Sequence, residues 1–179
     1  MIRAITDRLV LRDVTPNDAP FLLELLNDPG FIGHIGDRKV RTVEEARSYI
    51  TDKIIAQYVD KGYGMYLVAI KKGASDDGEI LGQCGLVKRE GLETTDIGFA
   101  FLEKYCGKGY GYESAKAVLG IAKKDLGLSQ IAAITGQENI ASQKLLTKLG
   151  LKYLRTIQLP KIDEPCLYYE LDLTQSDIA

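Results

Sequence analysis

Tyr105-Cys106-Gly107-Lys108-Gly109-Tyr110-Gly111-Tyr112 decides the reading of this chain, because it sets three alternating glycines between a strand-like segment and a long amphipathic helix. Glycine lets a backbone turn sharply and come close to a ligand. The first N–H groups of a helix have no intrahelical partner and carry partial positive charge, which suits phosphate oxygens. The stretch therefore reads as a strand-to-helix junction with a phosphate cradle at the turn.

Working outward, Ala115, Val118, Leu119, Ala122 and Leu126 share one face of the helix that follows, and Gly127 closes it. Gln130 to Ile134 reads as a strand. Asn139 then caps a helix bearing Leu145, Leu146 and Leu149, ended by Gly150, before strands from Leu151 to Thr156 and from Cys166 to Leu173. Upstream of the loop, β-rich runs at Met65 to Ile70, Ile80 to Val87 and Thr94 to Leu102 form a meander, with Lys71 to Gly78 as a solvated hairpin tip. Earlier still, Arg8 to Val14 is strand-like. Thr15-Pro16-Asn17-Asp18 starts a helix carrying Ala19, Leu22, Leu23, Leu25 and Leu26, which Asp28-Pro29-Gly30 stops. Thr42-Val43-Glu44-Glu45 is a capping box, opening a helix from about Val43 to Val59. The order predicts one α/β domain over residues 1–179, with a mixed sheet centred on the strand that enters the glycine loop.

Composition narrows the function classes. With 179 residues, 45% apolar and 27% charged, the chain can bury a core without disulfides or metals. It has no apolar run near the roughly 20 residues that span a bilayer and no signal-like amino terminus, so a cytoplasmic location without membrane attachment is expected. Three widely spaced cysteines, Cys84, Cys106 and Cys166, and a single histidine, His34, offer no metal or disulfide pattern. A net charge of −2 argues against a nucleic-acid footprint. The same counts leave monomer and homodimer open.

Spacing separates the phosphate loops. A Walker loop needs Ser or Thr after its Gly-Lys, and here Gly107-Lys108 is followed by Gly109. A dinucleotide fingerprint needs G-x-G-x-x-G and an acid at the end of the next strand; this loop reads G-x-G-x-G, and Asp125 falls on the helix. A nicotinamide-dependent oxidoreductase is weakened accordingly.

Four ordered segments resemble the GNAT superfamily of N-acetyltransferases, in particular its RimJ/RimL-like branch. They are Thr6 to Arg12, Asp96-Ile97-Gly98-Phe99, Tyr105 to Glu113, and Asn139 to Leu146 with Lys148-Leu149-Gly150. The resemblance implies a single GNAT-like α/β (α+β) domain whose mixed, mostly antiparallel sheet has about six to seven strands, with helices on both faces. It also implies a central strand bulged and splayed at an acyl-CoA site. Acetyl-CoA is then the co-substrate, without a metal, and the acceptor a primary amine on a peptide N-terminus or a small molecule. A non-catalytic acyl-CoA sensor is the alternative.

Carried onto this chain, the resemblance gives Phe99, Phe101 and Leu102 to the pantetheine arm. Cys106, Gly107, Lys108, Gly109, Tyr110, Gly111 and Tyr112 fall to the pyrophosphate. Cys106 departs from the Gln or Arg usual at its position, and a cradle of backbone N–H groups survives that change. Many members protonate the leaving thiolate with a tyrosine where this chain has Leu146. Ser142 takes that role here, and Asn139 on the same helical face contacts pantetheine. Asn139 is also an ordinary N-cap residue. Asp96 and Glu93, on and just before the central strand, are the acids available as general base. An α-amino group, titrating near pH 8, asks less of such a base than lysine. The acceptor pocket is expected from roughly residues 31–41 and the late loop 158–165; Phe31, His34 and Tyr63 are candidates to line it, with Phe31 reading more as core and Tyr63 also as a packing residue beside Gly62 and Gly64.

Overall fold

The computed structural model describes residues 1–73, 76–160 and 162–176. Lys161 of the late loop, and Ala74 and Ser75 of the expected hairpin tip, lie outside them. One sheet of eight strands runs in the order β1-β2-β3-β4-β5-β6-β8-β7. The strands are β1 (Ile2–Ile5), β2 (Leu9–Asp13), β3 (Met65–Lys72), β4 (Asp76–Val87), β5 (Asp96–Phe101), β6 (Gln130–Gly136), β7 (Lys152–Ile157) and β8 (Cys166–Asp172). Every neighbouring pair is antiparallel except β5 and β6, which the helix α5 (Tyr110–Lys124) joins as a parallel crossover. The strand beyond the expected six or seven is β1. It is short, and an Arg3 to Asp13 ion pair at 2.6 Å ties it to the end of β2.

The two faces carry different helices. On one, Ala115, Val118, Leu119 and Ala122 of α5, with Leu146 of α6 (Ile140–Lys148), cover Leu9, Leu11, Val68, Cys84, Leu86, Ile97 and Ile131. On the other, α1 (Ala19–Leu26), α2 (Pro29–His34) and α3 (Val43–Tyr49) bury Leu22, Leu25, Phe31 and Ala46 against Leu67 and Ala100. The expected stop at Asp28-Pro29-Gly30 is also a start. Asp28 accepts the Gly30 N–H at 2.9 Å, and Pro29 stands in the first turn, so α2 begins where α1 ends. The Thr42 capping box forms as read, but the helix after it changes to a π segment over Ile50–Ile55 before α4 (Ala56–Lys61). Cys84 sits in the core, where burial pushes its thiol up to about 12.

Leu146 is 1% exposed and belongs to the core between α6 and the sheet. Its position therefore offers no proton to a ligand. Leu146→Ala should lower stability by about 2–5 kcal/mol in a urea titration, the range for a truncated core leucine.

Candidate active site

β5 and β6 meet at a single register pair, Asp96 with Ala132, closed by the Ala132 N–H donating to the Thr95 carbonyl at 2.8 Å. β5 otherwise keeps unbroken register with β4, and β6 with β8. Each half of the sheet twists with its own partner, so the parallel strands part toward Phe101 and Gly136. The result is a V with Asp96 at its apex. The splay arises without the bulge in β5 that the resemblance implied. One irregularity lies a strand away, where β4 has an extra residue, Leu81, between the pairs Val68 with Gly82 and Ala69 with Ile80.

The main chain of β5 is divided between its two edges. Leu102 N–H donates toward β4, to Leu81 at 3.1 Å, and the Thr95 carbonyl faces β6, so two-residue alternation turns the peptide groups of Ile97, Phe99 and Phe101 into the V. A ligand arm with amide groups can pair there like an added strand. The side chains of Phe99 and Phe101 go to the α5 face, and Leu102 is 3% exposed under α1, so these positions offer backbone rather than side chains.

At the mouth of the V the chain makes a 3-10 turn at Glu103–Tyr105, extends at Cys106 and enters α5 through Gly107 and Gly109, with φ +75° and +82°. Only glycine takes those angles without strain. No side chain caps α5, and its first intrahelical bond runs from Glu113 N–H to Gly109. The amides of Tyr110, Gly111 and Tyr112 thus point outward with no partner among the described residues. Gly111 has a separate task. A Cβ there would stand 3.2 Å from Leu145 and 3.7 Å from Phe101, so its absence seats α5 against α6 and β5. The Cys106 sulfur turns back 3.7 Å from the Leu102 carbonyl, while burial and then the charges of Asp28 and Glu103 raise its pKa; it adds no side chain to the cradle.

Cations and an anchoring carboxylate flank the loop. Glu113 accepts from Thr6 Oγ1 at 2.6 Å, Arg8 N–H at 2.9 Å and Arg8 Nε at 2.7 Å. Burial works against that charge, yet these bonds hold its pKa below the ordinary value. Arg8 in turn reaches the Lys108 carbonyl at 3.1 Å and lies 4.7 Å over the Tyr110 ring. Lys108 lies over the Tyr105 ring at 5.6 Å, and Lys148 over Tyr112 at 4.4 Å. Unpaired amides, positive-φ glycines and nearby cations fit a pyrophosphate.

The remaining residues separate into those the V gathers and those it does not. Asp96 is 1% exposed, and its Oδ2 accepts from Arg89 Nε at 2.7 Å, while Oδ1 is buried without a partner. Burial pushes its pKa up to about 6 against the opposing charge and hydrogen bond of Arg89. Glu93 is exposed on the loop outside the apex, with only its carbonyl engaged among the described residues, by Lys88, so it is not gathered with the others. On α6, which follows the other arm, Asn139 Oδ1 accepts the Ser142 N–H at 3.1 Å. That bond is the capping role; it leaves the Asn139 amide nitrogen for a ligand. Ser142 is 9% exposed, and its hydroxyl makes no hydrogen bond among the described residues.

Two of the three pocket residues read from sequence are core. Phe31 is 5% exposed beneath α1, and the Tyr63 hydroxyl is paired with Thr95 at 2.9 Å on the α5 face. His34 stays exposed at the end of α2. Sequence reasoning missed Gln83. It lies 6% exposed on β4, its Oε1 unpartnered, in register between Leu67 and Ala100. A buried unmade acceptor costs a fold about 1–3 kcal/mol. Its signal was a lone amide between Gly82 and Gly85 in the otherwise apolar run from Ile80 to Val87.

Comparison with known proteins agrees with this geometry. The Bacillus subtilis protein YkkB, which bears the name of an uncharacterized protein, is 31% identical over 171 residues, covering 94% of each chain. YnaD of the same organism, named an uncharacterized N-acetyltransferase, is 28% identical over 82% of this chain and 81% of its own. A GNAT-family acetyltransferase from Bacillus anthracis has the same fold, with a TM-score of 0.78 and 24% identity over 98% of this chain and all 100% of that one. So has RimL, a ribosomal L7/L12 alpha-N-protein acetyltransferase solved with coenzyme A, with a TM-score of 0.79 and 18% identity over 96% and 98% of the two chains. The family described as acetyltransferase (GNAT) domain matches residues 8–152, from just before β2 to the first residue of β7, and this chain belongs to it.

Proposed function

We propose that the chain moves an acetyl group from acetyl-CoA to a primary amine by direct attack in a ternary complex. The observation that carries this is the V between β5 and β6, opening onto the uncapped end of α5. Backbone amides at Gly109 to Tyr112 hold the pyrophosphate, helped by Lys108, and the peptide groups of Phe99 and Phe101 hold the pantetheine arm and face the thioester carbonyl as it gains negative charge. Asp96 receives a proton from the attacking amine through water, the new C–N bond forms as the C–S bond breaks, and the Ser142 hydroxyl donates to the departing sulfur. Asn139 steadies the arm with its free amide nitrogen. The acceptor is a peptide α-amino group, whose pKa near 8 suits a carboxylate base of modest strength, or a small-molecule amine.

A thiol-release assay across peptide amino termini, polyamines and aminoglycosides tests this directly. Turnover with at least one class is expected. Stabilisation by acetyl-CoA with no thiol release from any amine would make the chain a sensor instead. In the same assay Ser142→Ala should cut kcat by about 10²-fold, the lower range for loss of a general acid. Unchanged kcat would remove Ser142 from the reaction.

A further inference from the structure

Gln83 and Asp96 each bury a side-chain oxygen without a hydrogen-bond partner among the described residues, and both lie on the same face of the sheet: Gln83 between Leu67 and Ala100, which α1 and α3 cover, and Asp96 beside Ala132, which packs with Leu92, Leu159 and Tyr168. Gln83 is cross-strand from Ala100, and Asp96 is four residues earlier on β5, the same side of the strand. Between them the strip holds no side chain larger than a methyl on β5, since positions 98 and 100 are glycine and alanine, and Gly98 faces Gly85 of β4. Met65 closes the strip on one side, its sulfur 3.6 Å from where a Gly98 Cβ would stand.

From this pair we infer that Gln83 is a positioning residue that selects primary amines by holding the second N–H of the attacking nitrogen. The inference rests on the acetyl-transfer reading above. A neutral primary amine has two N–H bonds and one lone pair. One N–H must pass its proton toward Asp96, and the lone pair must point at the thioester carbon. Rotation about the C–N axis of the amine is stopped only if the second N–H also has an acceptor, and Gln83 Oε1 is the neutral one on this face. A secondary amine has one N–H and cannot satisfy both oxygens.

The spacing allows it. Asp96 and Ala100 are about 13 Å apart along β5 and Gln83 stands one strand, about 5 Å, further across, so an amine nitrogen and a bridging water, joined by hydrogen bonds of about 2.8 Å, are needed to link the two oxygens. The Gln83 amide nitrogen also has no partner among the described residues, yet is not among the buried unsatisfied atoms, so that end of the carboxamide retains contact with solvent. Turning the carboxamide over exchanges its oxygen and nitrogen. A substrate amine therefore meets Oε1 without any movement of β4.

Gln83→Met separates this role from a structural one, because methionine has similar size and length but makes no comparable hydrogen bond. Four measurements decide: Tm, acetyl-CoA affinity by calorimetry, and kcat/KM for a primary amine and its N-methyl counterpart. Tm should hold or rise, since an unmade buried acceptor is removed, and acetyl-CoA affinity should stay within twofold. The wild type should prefer the primary amine by about tenfold or more, and the variant should bring the two within about threefold by losing activity on the primary amine alone. Gln83→Glu, which keeps an oxygen at the same reach, should retain the preference. A fall in Tm with the preference intact, or equal loss on both amines, would assign Gln83 to the fold and overturn the inference. Turnover of neither amine by the wild type, nor of any other amine, would instead overturn acetyl transfer, and Gln83 with it.

Discussion

Gly109→Val is expected to weaken acetyl-CoA binding by roughly 5- to 150-fold while leaving the fold intact. At φ +82° a branched side chain is strained, and its Cβ would also stand 3.3 Å from the Arg8 guanidinium. Such strain is about 1–3 kcal/mol, which converts to that range of affinity when binding must restore the native turn. The unbound loop escapes the strain by moving at Gly107 to Gly109, because no side chain caps α5, while Glu113 keeps the helix itself bonded to Thr6 and Arg8. Calorimetric titration and a thermal melt should therefore disagree: a large change in Kd and a small one in Tm. Gly127→Ala is the control. It strains a φ of +63° at the other end of α5, so it should lower Tm and leave Kd unchanged.

Asp96→Asn should lower kcat at pH 7 by about 10²- to 10³-fold and remove a limb from the pH profile. With an acceptor amine that is neutral across the whole range, kcat of the wild type should rise through pH 6, where Asp96 loses its proton, and then level. The asparagine variant should be flat. Stability carries the same signature with the opposite sense. The native pKa of about 6 lies above the unfolded value near 3.9, so the native state holds the proton longer. Stability from this group is therefore highest below pH 4, falls as pH rises to 6 and is constant above. The fall is on the order of 3 kcal/mol for about two units. Denaturant midpoints at pH 4 and pH 7 should show that fall in the wild type and not in Asp96→Asn. A pH-independent kcat in the wild type would remove Asp96 as the base.

The glycine loop was the most legible part of the chain, although its three glycines do two jobs. Positive φ at Gly107 and Gly109 follows from local chain geometry and can be read from the turn. The close packing of Gly111 against Leu145 and Phe101 joins segments far apart in sequence and cannot. The same divide explains the other misses. Ile2–Ile5 is too short to announce a strand, and what fixes β1 is pairing with β2 and the ion pair to Asp13. Asp28-Pro29-Gly30 carries both stop and start signals, so a second helix hid behind the end of the first. Nothing local marks the π segment within the helix read as continuous.

The site divided in a similar way. Asp96 was legible only as one of two acids at the central strand, and its burial at the apex needed the parallel pairing of β5 and β6 to appear. Glu93 looked equivalent three residues earlier, but that short distance carries it past the apex and out to solvent. Phe31 already read more as core than as pocket lining, and tertiary contacts take both it and Tyr63 into the core. Gln83 gave little warning, since a single amide in a strand acquires meaning only when its neighbours leave it unbonded.

The central claim is that the V between β5 and β6, together with the uncapped end of α5, is where acetyl-CoA binds. Amide chemical shifts recorded while acetyl-CoA is titrated into the intact protein test it most directly. The largest changes should fall at Phe99, Phe101 and Gly109 to Tyr112, with smaller ones at Asn139 and Ser142, and all should saturate together. Saturable binding that leaves Phe99, Phe101 and the Gly109 to Tyr112 amides unmoved, or no binding at millimolar acetyl-CoA, would contradict the account.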